Sequence, residues 1–432
     1  MLLTEYRLEL VIQALRTILP LEHPADTSLR YFFQAERIGS NERALIAETV
    51  FGVLRHRLLL EHGCGDQTTP RRLALAYWVR FGGYNLRELT PLLKPTESEW
   101  LAQVKSLKVE ELPLSIQAEL PDWIIEKLRM HYSDEAILGI GLSMQQAAGL
   151  DLRVNTHLAN RDEVLAGLSA EGVTAEATPY SPLGIRVKGK PALNKSPMFE
   201  GGKFEVQDEG SQLLGFLVAP RRNEMVVDFC AGAGGKTLML GAMMNSQGRL
   251  YALDVSEKRL ANLKPRLKRS GLSNLQPQLI AHENDVKVKR LAGKIDRVLV
   301  DAPCSGLGTL RRNPDLKFRQ SLQSVSELTQ KQSNILAAAS KLLKKGGRLV
   351  YATCSLLHEE NQGIVEAFLS AHPTFKLLPA GEVLAQQKIA LEMGDYLQLL
   401  PQKHGTDGFF AAVMEQRGSE KQATSGDADS SL

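Results

Sequence analysis

The first third of the chain places apolar residues with the period of an α-helix. Within residues 8–15, and again within residues 45–54, apolar positions recur every three or four residues, which gives each segment one apolar face. Two further helices are predicted, one after Pro121 and one after Ser133. The pattern therefore predicts an all-helical domain with linker helices over residues 1–146.

After this helical part, segments with the apolar spacing of strands alternate with segments that have the spacing of a helix. Residues 150–155 alternate apolar and polar positions as a strand does, residues 161–172 have a helical pattern, and residues 184–187 form a second strand. This order predicts a small α/β unit over residues 147–203. From residue 204 to residue 416, apolar strands alternate with helical segments, which predicts a doubly wound, mostly parallel sheet. Residues 417–432 are small and polar and are predicted to be a disordered tail.

Length and composition are those of an ordinary globular protein with two or three domains. The chain has 432 residues, of which 43% are hydrophobic and 23% charged. No run approaches the roughly 18 apolar residues of a membrane-spanning helix. The first ten residues carry Glu5 and Glu9 and lack a basic start followed by an apolar run. We therefore expect no membrane partner and a cytoplasmic location.

The four cysteines and the net charge narrow the chemistry only slightly. Cys64, Cys230, Cys304 and Cys354 are far apart and form no CxxC pair, so free thiols are expected, with no metal site and no disulfide framework. A net charge of +3 permits a nucleic acid as partner without requiring one. The oligomeric state is left open, and a monomer is compatible with the sequence.

A glycine-rich turn follows the apolar strand that ends in Asp228. The turn contains Cys230, Ala231, Gly232, Ala233, Gly234, Gly235 and Lys236. A P-loop needs glycine where Cys230 stands, and a dinucleotide fingerprint needs glycine where Thr237 stands. An S-adenosylmethionine site fits better, because the next strand ends in Asp254, whose carboxylate can accept both ribose hydroxyls. Asp254 can also cap the following helix, which is compatible with a ribose contact. The turn alone indicates an adenosine cofactor and leaves the chemistry open.

Two cysteines follow the ends of two later strands of the predicted sheet. One strand runs into Asp301 and then Cys304, and the next runs into Cys354. Neighbouring strands lie about 4.8 Å apart, and ligands bind at the carboxyl ends of parallel strands. Both thiols are therefore expected in the cofactor cleft. One thiolate could add to carbon 6 of a cytosine to activate carbon 5, and the other thiol could assist release of the methylated base. Asp301 could form hydrogen bonds with the base, and Lys236 could lower the pKa of a thiol. The residues leave open which thiol has which role.

These stretches resemble the RNA cytosine-carbon-5 methyltransferases of the Sun/Fmu type. The matching segments are QDEGSQL from Gln207, DFCAGAGGKT from Asp228, DAPCSGLGTLRRNPDLKF from Asp301, YATCSLLHEENQ from Tyr351 and DGFFAAVM from Asp407. The resemblance implies a Rossmann-like methyltransferase domain that uses S-adenosylmethionine, with Cys354 as nucleophile and Cys304 in product release. DNA cytosine methyltransferases place the nucleophile after the fourth strand, which would reverse these roles.

The same resemblance implies a set of cofactor contacts. They are residues 230–236, Asp254, Asp301 and an acidic residue after the third strand, for which Asp285 fits best. One departure is Ala233, where the family usually has proline.

The N-terminal helices, through NERALIAETVFGVLRHRLLLEH from Asn41, resemble the NusB-like RNA-binding domain of bacterial ribosomal RNA enzymes. The small α/β unit resembles the RNA-binding extension of that family. Together they imply 16S ribosomal RNA as substrate, with transfer RNA as the alternative. A non-catalytic RNA-binding assembly factor would lack one of the cysteines, and an amine-directed methyltransferase would have an aromatic residue where Cys304 stands.

Overall fold

The computed structural model describes residues 2–36, 38–189 and 191–417. All of the predicted tail except Arg417 lies outside the described residues. Among the residues that are described, no helix combines the length and the apolar composition that crossing a membrane requires.

The N-terminal part is helical, as the apolar period predicts. Its helices are α1 (Glu5–Ile18), α2 (Ala25–Ala35), α3 (Ser40–Arg55), α4 (Arg57–Cys64), α5 (Pro70–Arg80), α6 (Leu86–Leu89), α7 (Glu97–Ser106), α8 (Leu114–Gln117), α9 (Asp122–Arg129) and α10 (Asp134–Met144). Helix α1 begins where the Thr4 hydroxyl accepts the Arg7 N–H at 3.3 Å, which satisfies one of the free N–H groups of the first turn. The apolar faces of α1, α3 and α5 pack into one core around the fully buried Trp78.

A small antiparallel sheet follows, and it corrects one predicted boundary. Its strands are β1 (Leu150–Val154), β2 (Ala175–Ala177), β3 (Gly184–Val187) and β4 (Phe204–Val206), in the order β2-β3-β1-β4, with helices α11 (Arg161–Ala170) and α12 (Pro197–Glu200). Strand β4 pairs with β1 in the register Leu152↔Val206. The boundary placed at residue 204 therefore cuts through this sheet. Three residues are too few for a period to show which sheet they join, and the burial of Phe204 in the small domain decides it.

The larger domain is Rossmann-like, with a mostly parallel sheet, as predicted. Its strands are β5 (Met225–Asp228), β6 (Arg249–Asp254), β7 (Leu275–Leu279), β8 (Ile295–Asp301), β9 (Leu343–Thr353), β10 (Phe375–Leu378), β11 (Tyr396–Leu399) and β12 (Phe409–Gln416). The order is β10-β12-β9-β8-β5-β6-β7, and β11 also pairs with β12. Strands β5 to β9 pair in parallel and β10 to β12 pair antiparallel.

Helices cover both faces of this sheet and bury two apolar layers. The helices of this domain are α13 (Glu209–Val218), α14 (Gly235–Met243), α15 (Glu257–Ser270), α16 (Val286–Lys289), α17 (Leu316–Arg319), α18 (Leu322–Ser340), α19 (Gln362–Ala371), α20 (Ala380–Gln386) and α21 (Pro401–His404). Because β5, β6, β8 and β9 run in parallel, their carboxyl ends, at Asp228, Asp254, Asp301 and Thr353, lie along one edge.

The helical domain holds the segment that follows β8 through a buried lysine. The Lys317 ammonium donates to the carbonyls of Arg55 at 2.9 Å and Glu119 at 2.8 Å, and it pairs with the Glu119 carboxylate at 3.3 Å. Burial lowers the pKa of Lys317 and raises that of Glu119. Removing one member of a buried pair leaves the other charge uncompensated, so this pair fixes the helical domain against the α17 segment.

Candidate active site

The two strand-end cysteines meet at the carboxyl edge of the large sheet. Strands β8 and β9 are parallel neighbours, with Asp301 opposite Ala352. The turns after them bring the Sγ atoms of Cys304 and Cys354 to 3.4 Å. This is a hydrogen-bond distance, and both thiols are free. The hydrogen bond with Cys354, then burial and the nearby charges of Cys354 and Glu360, raise the pKa of Cys304 well above its ordinary value. Cys304 therefore holds its proton more tightly than an ordinary cysteine thiol does.

Close backbone contact fixes the turn after Cys304 against the one that carries Cys354. The Gly308 N–H donates to the Cys354 carbonyl, and the Gly408 N–H donates to the Gly308 carbonyl, both at 2.8 Å. A Cβ at Gly308 would lie 2.2 Å from the Gly408 oxygen and 2.8 Å from the Cys354 oxygen. No larger residue fits there without moving one of these backbones.

Lys236 and Asp301 form an ion pair in the same cleft. Lys236 lies in the first turn of α14, and its Nζ is 2.7 Å from Asp301 Oδ2. Burial alone would lower the pKa of Lys236, but the charge and hydrogen bond of Asp301, followed by the charge of Cys354, raise it overall. The lysine therefore remains an ammonium group that is paired with Asp301 and whose charge also interacts with that of Cys354.

Asp254 holds the glycine-rich turn from the end of β6. Its Oδ2 accepts the Gly232 N–H at 2.8 Å, and its Oδ1 accepts the Ser256 N–H at 2.7 Å and pairs with Arg259 at 2.9 Å. The helix α15 is capped by Ser256, whose hydroxyl accepts the Arg259 N–H. The helix-cap alternative for Asp254 is therefore wrong.

A cavity of about 470 Å³ lies between this turn and the two cysteines. Of the residues predicted for the site, ten line it: Cys230, Ala231, Gly232, Ala233, Gly235, Lys236, Asp254, Asp301, Cys304 and Cys354. Gly234 does not line it. Its φ of +81° and a Leu263 carbon 2.1 Å from where a Cβ would lie show why glycine is needed there. Burial, and then the charge of Asp228, raise the pKa of Cys230, which makes this lining thiol unreactive.

Asp285 is not among the residues that line the cavity, which corrects the prediction for the third strand. Its carboxylate accepts the N–H groups of Ala281 and Lys287, both at 2.8 Å, and it caps α16. These two bonds lower the pKa of Asp285. Glu283, two residues earlier, lines the cavity instead. The sequence could not distinguish the two acids, because the conformation of the turn after β7 selects between them.

Two arginines from outside the turn were not anticipated. The Arg153 guanidinium, on β1, donates to the Gly235 carbonyl at 2.5 Å, and Arg266, on α15, donates to the Ala233 carbonyl at 2.7 Å. Arg153 is almost completely buried, and burial lowers its pKa to about 10. Both bonds engage carbonyl groups of the turn and so fix its backbone from outside. The spacing of apolar residues in a strand or a helix does not predict contacts between an arginine side chain and a distant backbone carbonyl.

The cavity has the polar groups that an adenosine cofactor with a cationic centre needs. Asp228 is fully buried, its Oδ2 accepts the Thr237 hydroxyl at 2.7 Å, and its Oδ1 has no partner among the described residues. Burial raises the pKa of Asp228 to about 7. Asp254 and Asp301 add carboxylates, while Val255 and Ile280 supply apolar walls. The donor set therefore suits S-adenosylmethionine.

The remaining motifs of the large domain meet in one cluster of charged side chains whose carboxylates are buried. Arg312 pairs with Asp407 at 2.5 Å and with Asp208 at 3.0 Å, and Arg311 pairs with Asp407 at 3.2 Å. Burial, and then the charge of Asp407, raise the pKa of Asp208 to about 6. This cluster joins the segments before β5, after β8 and before β12. Its four charged side chains support the site, whereas Gln207 and Ser211 of the first segment line the cavity.

Comparisons with known proteins show which family the chain resembles. The model of the family described as 16S rRNA methyltransferase RsmB/F matches residues 215–415, and that of the RsmF/B-like ferredoxin-like domain matches residues 120–194. The "Probable ribosomal RNA small subunit methyltransferase B" of Synechocystis sp. is 30% identical over 444 residues, which cover 94% of this chain and 99% of that protein. The chain belongs to the RsmB/F family of 16S rRNA methyltransferases.

Other relatives extend the similarity over nearly the whole molecule. The ribosomal RNA small subunit methyltransferase B of Yersinia pestis is 32% identical over 408 residues, which are 87% of this chain and 91% of that protein. The crystal structure of PH0851 superposes with a TM-score of 0.77 at 26% identity and covers 96% of this chain and 99% of that one. This RsmB/F-family chain is therefore an S-adenosylmethionine-dependent RNA cytosine methyltransferase.

Proposed function

We propose that this RsmB/F-family enzyme methylates carbon 5 of a cytosine in 16S ribosomal RNA through a covalent bond between Cys354 and carbon 6. The observation that carries the proposal is the pair of sulfurs, 3.4 Å apart in the wall of the cofactor cavity. A non-catalytic assembly factor has no use for two thiols that share a proton beside an ammonium group. An amine-directed methyltransferase needs no thiol at all.

Cys354 is the better nucleophile of the two for a physical reason. The Lys236 ammonium is near enough for its charge to interact with Cys354, and the Cys304 thiol lies within hydrogen-bond distance of the Cys354 sulfur. Addition of this thiolate to carbon 6 makes carbon 5 electron-rich. The Asp301 carboxylate, held by Lys236, accepts hydrogen bonds from the base and orients it. Bound S-adenosylmethionine supplies an electrophilic methyl group.

Cys304 becomes a base at the step that requires one. While Cys354 is a thiolate, its hydrogen bond and its charge both raise the pKa of Cys304. Once the Cys354 sulfur is bonded to carbon 6, both causes disappear, and Cys304 releases its proton to solvent water more readily to become a thiolate. The Cys304 thiolate then takes the proton from carbon 5, the double bond re-forms, and the carbon–sulfur bond breaks to release Cys354 as a thiolate.

The glycine-rich turn and three carboxylates would hold the cofactor. The turn 230–236 would pass close to it with its backbone, Asp254 would accept the ribose hydroxyls, and Asp301 would lie toward the methionine part. Glu283 takes the place that the sequence assigned to Asp285, because Glu283 is the acid that lines the cavity after β7.

Replacing the ribose acceptor should weaken cofactor binding selectively. Asp254→Asn removes the charge that accepts the ribose hydroxyls, so we expect the Kd for S-adenosylmethionine to rise about 10- to 100-fold, the range for hydrogen bonds to a charged group. Isothermal titration calorimetry measures it. The matched control is Asp285→Asn, which should leave the Kd within about twofold because Asp285 does not line the cavity and its carboxylate accepts two N–H groups of its own turn. An equal loss in both variants would contradict the assignment.

The RNA substrate rests on the relatives and on the accessory domains. The relatives carry names that specify the small ribosomal subunit. We assign RNA binding to the helical domain and to the small sheet, with the boundary between the small sheet and the catalytic domain after β4. Transfer RNA is the alternative substrate, and a ribosomal RNA substrate places the reaction in the cytoplasm.

Bisulfite sequencing of RNA from a strain that lacks this gene tests the substrate. We expect one or a few 16S ribosomal RNA cytosines to change from protected to converted, and re-expression of the gene to restore protection. The Cys354→Ala variant should not restore it. Loss of protection confined to transfer RNA would shift the assignment to the alternative, and unchanged protection everywhere would overturn the proposal.

A further inference from the structure

A fully buried carboxylate connects the two cysteine turns. Glu360 lies in the turn His358–Glu360 between β9 and α19. Its Oε1 accepts the Ser305 N–H at 2.8 Å and the Gln332 amide at 3.0 Å. Its Oε2 accepts the Ser305 hydroxyl at 2.5 Å and the hydroxyl of Ser355. Ser305 and Ser355 directly follow Cys304 and Cys354, so one side chain holds both turns.

The turn that carries Glu360 is itself fixed to β9. The Tyr351 hydroxyl donates to the Glu360 carbonyl at 2.6 Å, and the Asn361 amide donates to the Ser355 carbonyl at 3.1 Å. All the donors to the Glu360 carboxylate are neutral groups. A buried charge is costly unless hydrogen bonds compensate it, and the four bonds to the two turns and to Gln332 supply that compensation. Separating the turns would therefore leave the carboxylate unsatisfied.

The contacts of Glu360 are not symmetric between the two cysteines. It accepts the backbone N–H that follows Cys304, whereas the corresponding N–H of Ser355 donates to the Thr353 hydroxyl at 3.2 Å. We propose that Glu360 is a positioning residue that sets the separation of the two sulfurs and places its negative charge beside Cys304 rather than Cys354. The inference deepens the proposed function, since it rests on the different roles of the two thiols.

The position of the Glu360 carboxylate also affects the pKa of Cys304. The charge of Glu360 contributes to the raised pKa of Cys304, after the hydrogen bond with Cys354, burial and the charge of Cys354. Other titratable groups also surround the pair: Lys236, Asp301, Asp228, Cys230, Tyr351 and Lys331. The variants below leave all of them in place, so a changed titration of Cys304 reports on Glu360.

Thiol alkylation measures the charge effect without RNA or turnover. In a Cys354→Ala background, the rate at which iodoacetamide modifies Cys304 is followed by peptide mass spectrometry between about pH 7 and about pH 10, the range in which thiols titrate. Adding Glu360→Gln should raise that rate about 3- to 10-fold at about pH 8, as expected for a pKa lowered by up to about one unit. The matched control is Glu359→Gln. The half-buried Glu359 side chain pairs with Lys127 at 2.9 Å rather than with the cysteine turns, so this variant should leave the Cys304 profile unchanged. An unchanged Cys304 profile in Glu360→Gln would overturn the charge assignment.

A second variant distinguishes the effect of Glu360 on the positions of the two sulfurs from the effect of its charge. Glu360→Asp keeps the carboxylate but shortens its reach, so the Cys304 profile should stay close to wild type while kcat for methyl transfer falls about 10-fold or more at an unchanged KM for S-adenosylmethionine. Unchanged kcat would show that Glu360 does not position the sulfurs. If Glu360→Gln fails to bind the cofactor, Glu360→Asp decides the proposal. The alkylation result is independent of whether Cys354 is the nucleophile, so the two proposals can fail separately.

Discussion

Methyl transfer should stop in the Cys354→Ala variant while cofactor binding continues. Without a thiolate on carbon 6, carbon 5 of cytosine is too poor a nucleophile to react, and removing the nucleophile of a covalent mechanism costs about 10⁴-fold or more in kcat. The Cys354 side chain makes no bond to the glycine-rich turn, and its contact is with the sulfur of Cys304. The Kd for S-adenosylmethionine should therefore stay within about threefold of wild type.

The measurement is transfer of labelled methyl groups to 16S ribosomal RNA, with cofactor binding determined on the same preparations. Cys64→Ala is the control, because Cys64 is a buried thiol in α4 within the core of the helical domain. The Cys64→Ala variant should transfer methyl groups within about twofold of the wild-type rate, even if the loss of a buried sulfur lowers the stability of the fold. Turnover by Cys354→Ala above about one hundredth of the wild-type rate would exclude Cys354 as the nucleophile.

The Cys304→Ala variant should instead hold the RNA in a covalent complex. Cys354 keeps Lys236 beside it, so addition to carbon 6 and methylation both proceed. The base that removes the proton from carbon 5 is then missing, and the carbon–sulfur bond cannot break. We expect a slowly migrating protein–RNA band that survives denaturation, and product limited to about one methyl group per enzyme molecule.

The double variant Cys304→Ala, Cys354→Ala is the matched control and should give no band. Omission of S-adenosylmethionine should also reduce the band, because the unmethylated adduct can reverse without losing a proton from carbon 5. Free turnover by Cys304→Ala, with no adduct, would mean that another group removes the proton. An adduct in the double variant would mean that the covalent bond forms elsewhere.

The cysteine pair could be anticipated from the sequence because one simple rule places it. Residues that follow parallel strands meet at a common edge, and β8 and β9 are neighbours. The same rule located Asp254, Asp301 and the glycine-rich turn. The helical domain was predictable for a similar reason, since its apolar period is local and strong.

The residues that could not be anticipated depend on non-local contacts. Glu360, in the turn after β9, binds Ser305, in the turn after β8. No hydrophobic period relates these two positions. Arg153 reaches the Gly235 carbonyl from a different domain. Asp285 was assigned wrongly because two backbone N–H groups of its own turn engage its carboxylate. Local hydrogen bonding of that kind is decided by loop conformation, which a spacing argument does not determine.

The most direct test of the account is the identity of the residue that carries the RNA in the Cys304→Ala complex. After nuclease and protease digestion, tandem mass spectrometry should find a methylated cytidine attached to the peptide that contains Cys354, at the end of β9. A nucleotide on Cys230, or on any residue other than Cys354, would contradict the proposed chemistry.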